Sequence, residues 1–219
     1  MTAVTPAAAA EAAEPYPVNV DGTLDEPLSR WLWLVKWFLA IPHYVVLVFL
    51  TIAFVVTTIV AFFSIVFTGR YPRQLFDFNV GVLRWWWRVD YYALSVIGTD
   101  RYPPFTLADV DYPCRLEVPY PEQLSRWRPL VKSWLFAFPH WIAVGAFTGG
   151  ATYASSNDWR FSISLTTLLV LVAGVSLLFR DRYPRDVFEL TVGINRWIYR
   201  VIAYAALMRD EYPPFRLRP

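Results

Sequence analysis

The sequence predicts a mainly α-helical integral membrane protein, built as two tandem repeats of one unit with minor short β-strands. Three observations carry this expectation. Apolar side chains are too abundant for a soluble interior, they gather into runs long enough to cross a bilayer, and the chain repeats itself. Hydrophobic residues make up 56% and charged residues 17% of the 219, with 11 Trp, 13 Tyr and 16 Phe. A soluble domain of this size has too little interior to hide so many large side chains, and extended apolar patches are rare on soluble surfaces. Long apolar runs with aromatic and Arg flanks belong to chains solvated by lipid.

The repeat is visible directly in the residues. Leu28-Ser29-Arg30-Trp31 recurs 96 positions on as Leu124-Ser125-Arg126-Trp127, and Leu34-Val35-Lys36 as Leu130-Val131-Lys132. Pro42-His43 recurs as Pro139-His140, and Arg70-Tyr71-Pro72-Arg73 as Arg182-Tyr183-Pro184-Arg185, now 112 positions on. Both copies close on the same words, Tyr102-Pro103-Pro104-Phe105 and Tyr212-Pro213-Pro214-Phe215. The only two lysines and the only two histidines occupy matching places, which makes chance implausible. The expected domains are a disordered Ala-rich tail (1–15), a first copy (16–107) and a second copy (108–219). The tail carries Glu11 and Glu14 and no basic residue, so it lacks the positive and apolar regions of a signal peptide.

Each copy is expected to begin with a short strand, of which the alternating Tyr112–Val118 is the example. Pro27 or Pro121 then suits the first turn of a helix. The long apolar run that follows ends at Arg-Tyr-Pro-Arg, because the residue before Pro disfavours helix. From Trp31 to Phe67 a single straight helix would measure about 56 Å, against a hydrocarbon core of roughly 30 Å. Either the run is a transmembrane hairpin, or it is a surface helix and one crossing joined at Pro42. In the second copy the polar Ser155-Ser156-Asn157-Asp158 separates Trp127–Tyr153 from Phe161–Phe179, each long enough to cross. Hairpins would also collect the Arg-bearing ends on one face, as the positive-inside tendency prefers. A hairpin in each copy, hence four crossings with the Arg-rich ends cytoplasmic, is therefore the expected topology. The first copy nevertheless has no turn residue near Thr51–Phe54.

The segment after Arg-Tyr-Pro-Arg is the principal candidate site. Asp77, Gly81, Arg84, Arg88 and Tyr92 share one narrow helical face, as do Glu189, Gly193, Arg196, Arg200 and Tyr204. The remainder is apolar and includes Trp85, Trp86 and Trp87, which suggests a helix lying in the membrane interface. Paired arginines one turn apart call for neutralisation. Two readings stand: they pair with Asp77 or Glu189, or Asp100 or Asp210, or else they hold anionic lipid headgroups through the bidentate Arg fork. In the second reading Gly81 and Gly193 let a headgroup or a helix come close. Lys36 with His43, and Lys132 with His140, are intramembrane polar candidates. The lysines are near enough to a helix start to snorkel, and each histidine follows a Pro that leaves a carbonyl unpaired.

Several classes of chemistry have no support. There is no phosphate-binding Gly loop, no metal-binding His-Glu-His helix and no nucleophile elbow, so no catalytic residue and no cofactor is expected. The single Cys, Cys114, allows neither an intramolecular disulfide nor a cysteine metal site, and two histidines do not suggest zinc. A net charge of +2 implies no field for nucleic acid.

Leu39-Ala40-Ile41-Pro42-His43-Tyr44, Phe67-Thr68-Gly69-Arg70-Tyr71-Pro72-Arg73, Val80-Gly81-Val82-Leu83-Arg84-Trp85 and Asp100-Arg101-Tyr102-Pro103-Pro104-Phe105 together resemble the family of domain of unknown function 4389. The resemblance covers both copies, roughly 16 to 217, and implies a bacterial cell-membrane protein of a type common in actinobacteria. It supplies no catalytic residues. The second copy departs from it in its polar insertion and in Arg180-Asp181 before Arg182.

The leading expectation is a non-enzymatic scaffold or accessory protein engaging anionic lipid, a membrane-protein partner or a second copy of itself. The alternative is a small transporter or channel component with His43 and His140 lining a path. A membrane enzyme using Asp77 or Glu189 as a base stands third.

Overall fold

The first apolar run divides at Pro42. In the computed structural model, which describes residues 16–127, 144–145, 151–154 and 160–217, helix α1 (Trp33–Leu39) gives way after Ala40 to α2 (Ile41–Thr68). Pro42 has no N–H to continue the ladder, so the helix breaks just before it. α2 is one continuous helix of 28 residues, about 42 Å long. The hairpin expected in the first copy is therefore not formed. Nothing between His43 and Thr68 breaks the ladder, and the hydroxyls of Thr51, Thr57 and Thr58 bond back to carbonyls of their own helix. Only His43, Leu47, Ala61 and Ile65 of α2 are buried. Pro27 starts no helix: the chain stays irregular until Trp33, with the Ser29 N–H given to Asp100 at 2.5 Å.

α2 ends at Gly69 in the left-handed conformation, φ 74°, where a side chain would be strained. Pro72 then caps α3 (Arg73–Val89), which continues through a π-helical turn at Asp90–Leu94. α3 runs back along α2. Asn79 meets Thr57 and Thr58 near the far end, Trp86 bonds Thr51, and Trp85 bonds His43 near the start.

In the second copy α4 (Leu165–Arg180) is the counterpart of α2, and α5 (Arg185–Ala205) of α3. Asp181 takes the left-handed place of Gly69, φ 57°, a conformation Asp tolerates. The facing ends of the two spans expected here also need correction. Ala151–Ala154 and Arg160–Ile163 are strands β3 and β4 of an antiparallel hairpin, so neither belongs to a crossing helix. Thr152, Tyr153, Phe161 and Ile163, on either side of a polar run, are residue types that suit a strand pair. α4 retains 16 residues, about 24 Å. The tail 1–15, the polar run Ser155–Asp158 and most of Trp127–Tyr153 lie outside the described residues.

The copies interlock. Strand β1 (Asn19–Gly22) from the first pairs antiparallel with β2 (Cys114–Glu117) from the second, Val20 opposite Leu116. β2 falls within the stretch expected to be a strand. As α3 and its π-helical turn run forward, the partners on α5 run backward, Trp87 meeting Tyr199 and Tyr91 meeting Phe188; beyond the turn, Ser95 bonds Asn195. Trp87 and Tyr199 are equivalent positions in the repeat, so the local two-fold passes between them. One apolar core draws on both copies, from Val18 and Val20 to Met208. The loops lock across as well, through Leu124 N–H on the Gly69 carbonyl (2.9 Å) and a bidentate Arg30–Asp181 pair.

Candidate functional site

The arginine-bearing faces of α3 and α5 turn inward, onto the sheet. Arg196 donates through Nε to the Val20 carbonyl (2.8 Å), through Nη1 to Leu217 O (2.9 Å) and through Nη2 to the Asp21 carboxylate (2.8 Å). One turn on, Arg200 Nε donates to the Val18 carbonyl at 3.3 Å, and its guanidinium lies over the Tyr16 ring. Val18 and Val20 are two apart, so their carbonyls leave the same edge of β1 and the pairing with β2 does not consume them. Four residues of helix rise about 6 Å and two of strand about 6.8 Å, so a pair of arginines one turn apart matches that carbonyl spacing. In the first copy Arg84 Nε donates to the Leu116 carbonyl (3.0 Å), and Arg88 Nη2 to Thr106 O. Each copy's helix thus clamps the other copy's strand in the Arg84–Leu116 and Arg196–Val20 bonds.

This corrects the expected acidic partners. Asp77 pairs with Arg73 on the exposed surface, an i,i+4 contact worth little. Glu189 is exposed. Asp100 takes Lys36 (2.8 Å) and the Ser29 N–H, while Asp210 takes the equivalent Ser125 N–H (2.8 Å). Arg84 reaches only Asp109, at 3.9 Å. Nor are the Arg faces of α3 and α5 open on the outside: Arg88, Arg196 and Arg200 are buried, and both helices are largely covered. Gly81 and Gly193 do permit a close approach, by the returning chain of their own copy. A Cβ at Gly81 would fall 2.8 Å from Leu107 Cβ, and one at Gly193 3.0 Å from Leu217 Cβ. Tyr92 is buried against Tyr102, and Tyr204 against Tyr212.

Lys36 does not snorkel. It is buried, donates to Thr99 O (2.7 Å), and pairs with Asp100. Burial holds its ammonium below the usual lysine range, with Asp100 acting against that shift. His43 is fully buried, its Nδ1 accepting from Trp85 Nε1 at 3.0 Å and its ring stacked on Phe105 at 3.9 Å. That bond assigns the proton to Nε2. Lys132 and His140 lie outside the described residues.

One polar feature at the junction was not anticipated. Asp90, in the π-helical turn, accepts from the Tyr199 hydroxyl at 2.6 Å. Burial pushes its carboxyl up to about 6 from an ordinary 3.8, with the Tyr199 bond opposing. The tyrosine hydroxyl is raised in turn, by burial first and then by the Asp90 charge. The repeat held the signal, since position 112 residues on from Asp90 is Ile202 and the acid has no counterpart. A carboxyl whose folded pKa is raised adds stability below pH 3.8 that is lost as pH rises through about 6. Asp90→Asn is therefore expected to be more stable than the parent by about 2–3 kcal/mol near neutral pH and equal to it below pH 3.8. Thermal unfolding across that window reads the difference, and an unchanged pH profile in the variant would contradict the assignment.

Around Asp90 and Tyr199 lies a cavity of about 220 Å³, walled by Thr51 and Phe54 of α2, Val82, Leu83 and Trp86 of α3, and Ile198 and Ile202 of α5. Its other walls are almost wholly apolar.

Compared with known proteins, the chain matches one family model, described as Domain of unknown function (DUF4389), over residues 30–106 and 159–216. No curated protein and no solved structure matches it.

Proposed function

Because the chain belongs to the DUF4389 family, which is defined by a sequence pattern and not by an activity, we propose a role from the surfaces the fold presents. The protein is a non-enzymatic scaffold or accessory protein of the bacterial cell membrane, held there by α2 and in contact with lipid or a membrane partner. The observation that carries this reading is the outer face of α2. Val45, Val48, Phe49, Ile52, Val55, Val56, Ile59, Val60, Phe63 and Phe67 are all exposed, along a helix whose hydropathy averages 2.9 over its best 18-residue window. The core helix of a soluble protein can be as apolar but is buried, whereas this one has four buried residues in 28. Left in water, such a stripe exceeds what soluble surfaces carry. Trp31, Trp37 and Phe38 on and before α1 extend the exposed apolar surface at one end, as interfacial aromatics do.

The inward engagement of Arg84, Arg88, Arg196 and Arg200 moves the headgroup contacts elsewhere in this reading. Arg70 and Arg73 beyond α2, and Arg180, Arg182 and Arg185 around the end of α4, are exposed and flank the apolar faces. Anionic headgroups are their natural company.

Membranes from expressing cells, washed with alkaline carbonate, test the reading. The chain is expected to stay in the pellet and to leave it only with detergent. Recovery in the carbonate supernatant would end the membrane reading. Replacing Val48, Ile52, Val55 and Ile59 by Glu is expected to shift the protein out of the membrane fraction.

A further inference from the structure

The cavity between α2, α3 and α5 joins two properties that are rarely adjacent: hydrocarbon-like walls and a carboxylate with no cation against it. Phe54, Val82, Leu83, Trp86, Ile198 and Ile202 supply the first, and Asp90 the second. The Asp90 carboxylate accepts one hydrogen bond, from Tyr199, and has no ion pair among the described residues. It is not a remnant of the duplicated pattern, because the second copy has Ile202 in its place, and Ile202 forms part of the opposite wall. The copies thus differ at this position, and both of its residues line the cavity.

We propose that this cavity is a binding site for a primary alkylammonium, its hydrocarbon chain lying along the α2–α5 walls and its ammonium bonding the Asp90 carboxylate. Size, polarity and charge each bear on this. An apolar cavity of about 150 Å³ accommodates a ring such as benzene, so about 220 Å³ holds a somewhat larger hydrocarbon body. The apolar walls have no partners for a sugar, a nucleotide or a phosphate. A carboxylate accepts up to four hydrogen bonds, and Tyr199 satisfies one of them. An ammonium offers three donors and the opposing charge, both of which the site lacks. Thr51 is no rival for Asp90, since its hydroxyl donates to Leu47 O and accepts from Trp86 Nε1. Thr51 and Phe54, which line the cavity, adjoin the exposed Ile52 and Val55 in α2.

The test uses the full chain in amphipol near neutral pH, with n-octylamine, 1-octanol and octanoate as probes, read by saturation-transfer NMR and calorimetry. Octylamine is expected to bind saturably, octanol at least about tenfold more weakly, and octanoate not at all. Asp90→Asn should reduce octylamine affinity at least about tenfold while leaving octanol unchanged, and Ile202→Trp, which fills the cavity, should abolish both. Asn keeps an acceptor for Tyr199, so the variant is expected to fold. Should it not, the ranking of the three probes on the parent and the Ile202→Trp result still decide. Absence of octylamine binding, octanoate binding as well as octylamine, or equal octylamine affinity in Asp90→Asn would each overturn the proposal. None of these outcomes depends on where the protein resides in the cell.

Discussion

Trp87→Ala is expected to cost about 3–5 kcal/mol of stability, the range for emptying a fully buried indole. Trp87 has no exposed surface, and its ring stands edge-on to Tyr91 at 5.5 Å and to Tyr199 at 5.4 Å. Its Nε1 donates to the Asp21 carbonyl on β1 at 3.2 Å. One side chain thus ties the central helix of the first copy to the central helix of the second and to the sheet they share. Trp87→Phe keeps a ring in the pocket and is expected to cost about 1–2 kcal/mol, from the smaller volume and the abandoned carbonyl. Denaturant unfolding of the detergent-solubilised chain measures both. A loss below about 1 kcal/mol for the alanine variant would mean that the two copies do not depend on this contact.

Lys36→Met is expected to be comparably severe, about 3 kcal/mol, although it removes a charge from an apolar helix. Methionine fits the volume, but the substitution leaves the Thr99 carbonyl without its donor and takes the cation from Asp100, whose side chain is only 27% exposed and keeps just the Ser29 N–H. Breaking a buried pair by removing one partner costs more than the pair contributes, because the survivor keeps its desolvation penalty. The double variant Lys36→Met with Asp100→Asn is therefore expected to recover part of the loss, since Asn can still accept from Ser29 N–H. A double-mutant cycle on thermal unfolding separates these terms. Additive losses would show that Lys36 acts alone.

Both residues illustrate what a linear reading can and cannot extract. Lys36 drew notice as an ionisable group in an apolar run, and Pro42 as one of two ways to divide that run. The structure chose the joint at Pro42 over the hairpin because α2 contains no residue that prefers a turn, and threonine hydroxyls satisfy themselves on their own helix. The spacing of Arg84 with Arg88, and of Arg196 with Arg200, was equally plain. Their partners were not, because a search for neutralising charge looks to carboxylates. The acceptors Val18, Val20 and Leu116 are backbone carbonyls, which every residue carries and no sequence marks. Asp90 is inconspicuous in the sequence for a related reason. A lone acid between Val89 and Tyr91 has no motif, and its meaning depends on Tyr199, 109 positions away.

Composition and repetition sufficed for the duplicated unit, its mainly helical character and the apolar run from Trp31 to Phe67, but not for that run forming one long helix in place of a hairpin. Those properties are local: hydropathy, periodicity and prolines act within a few residues of themselves. How the copies meet is a different matter. That β1 pairs with β2, that Arg84 and Arg196 clamp each other's strands, and that Trp87 touches Tyr199 across the local two-fold were decided by tertiary packing. Two identical units can satisfy their own edges or exchange them with equal local chemistry, and only the packing of the shared core distinguishes the two.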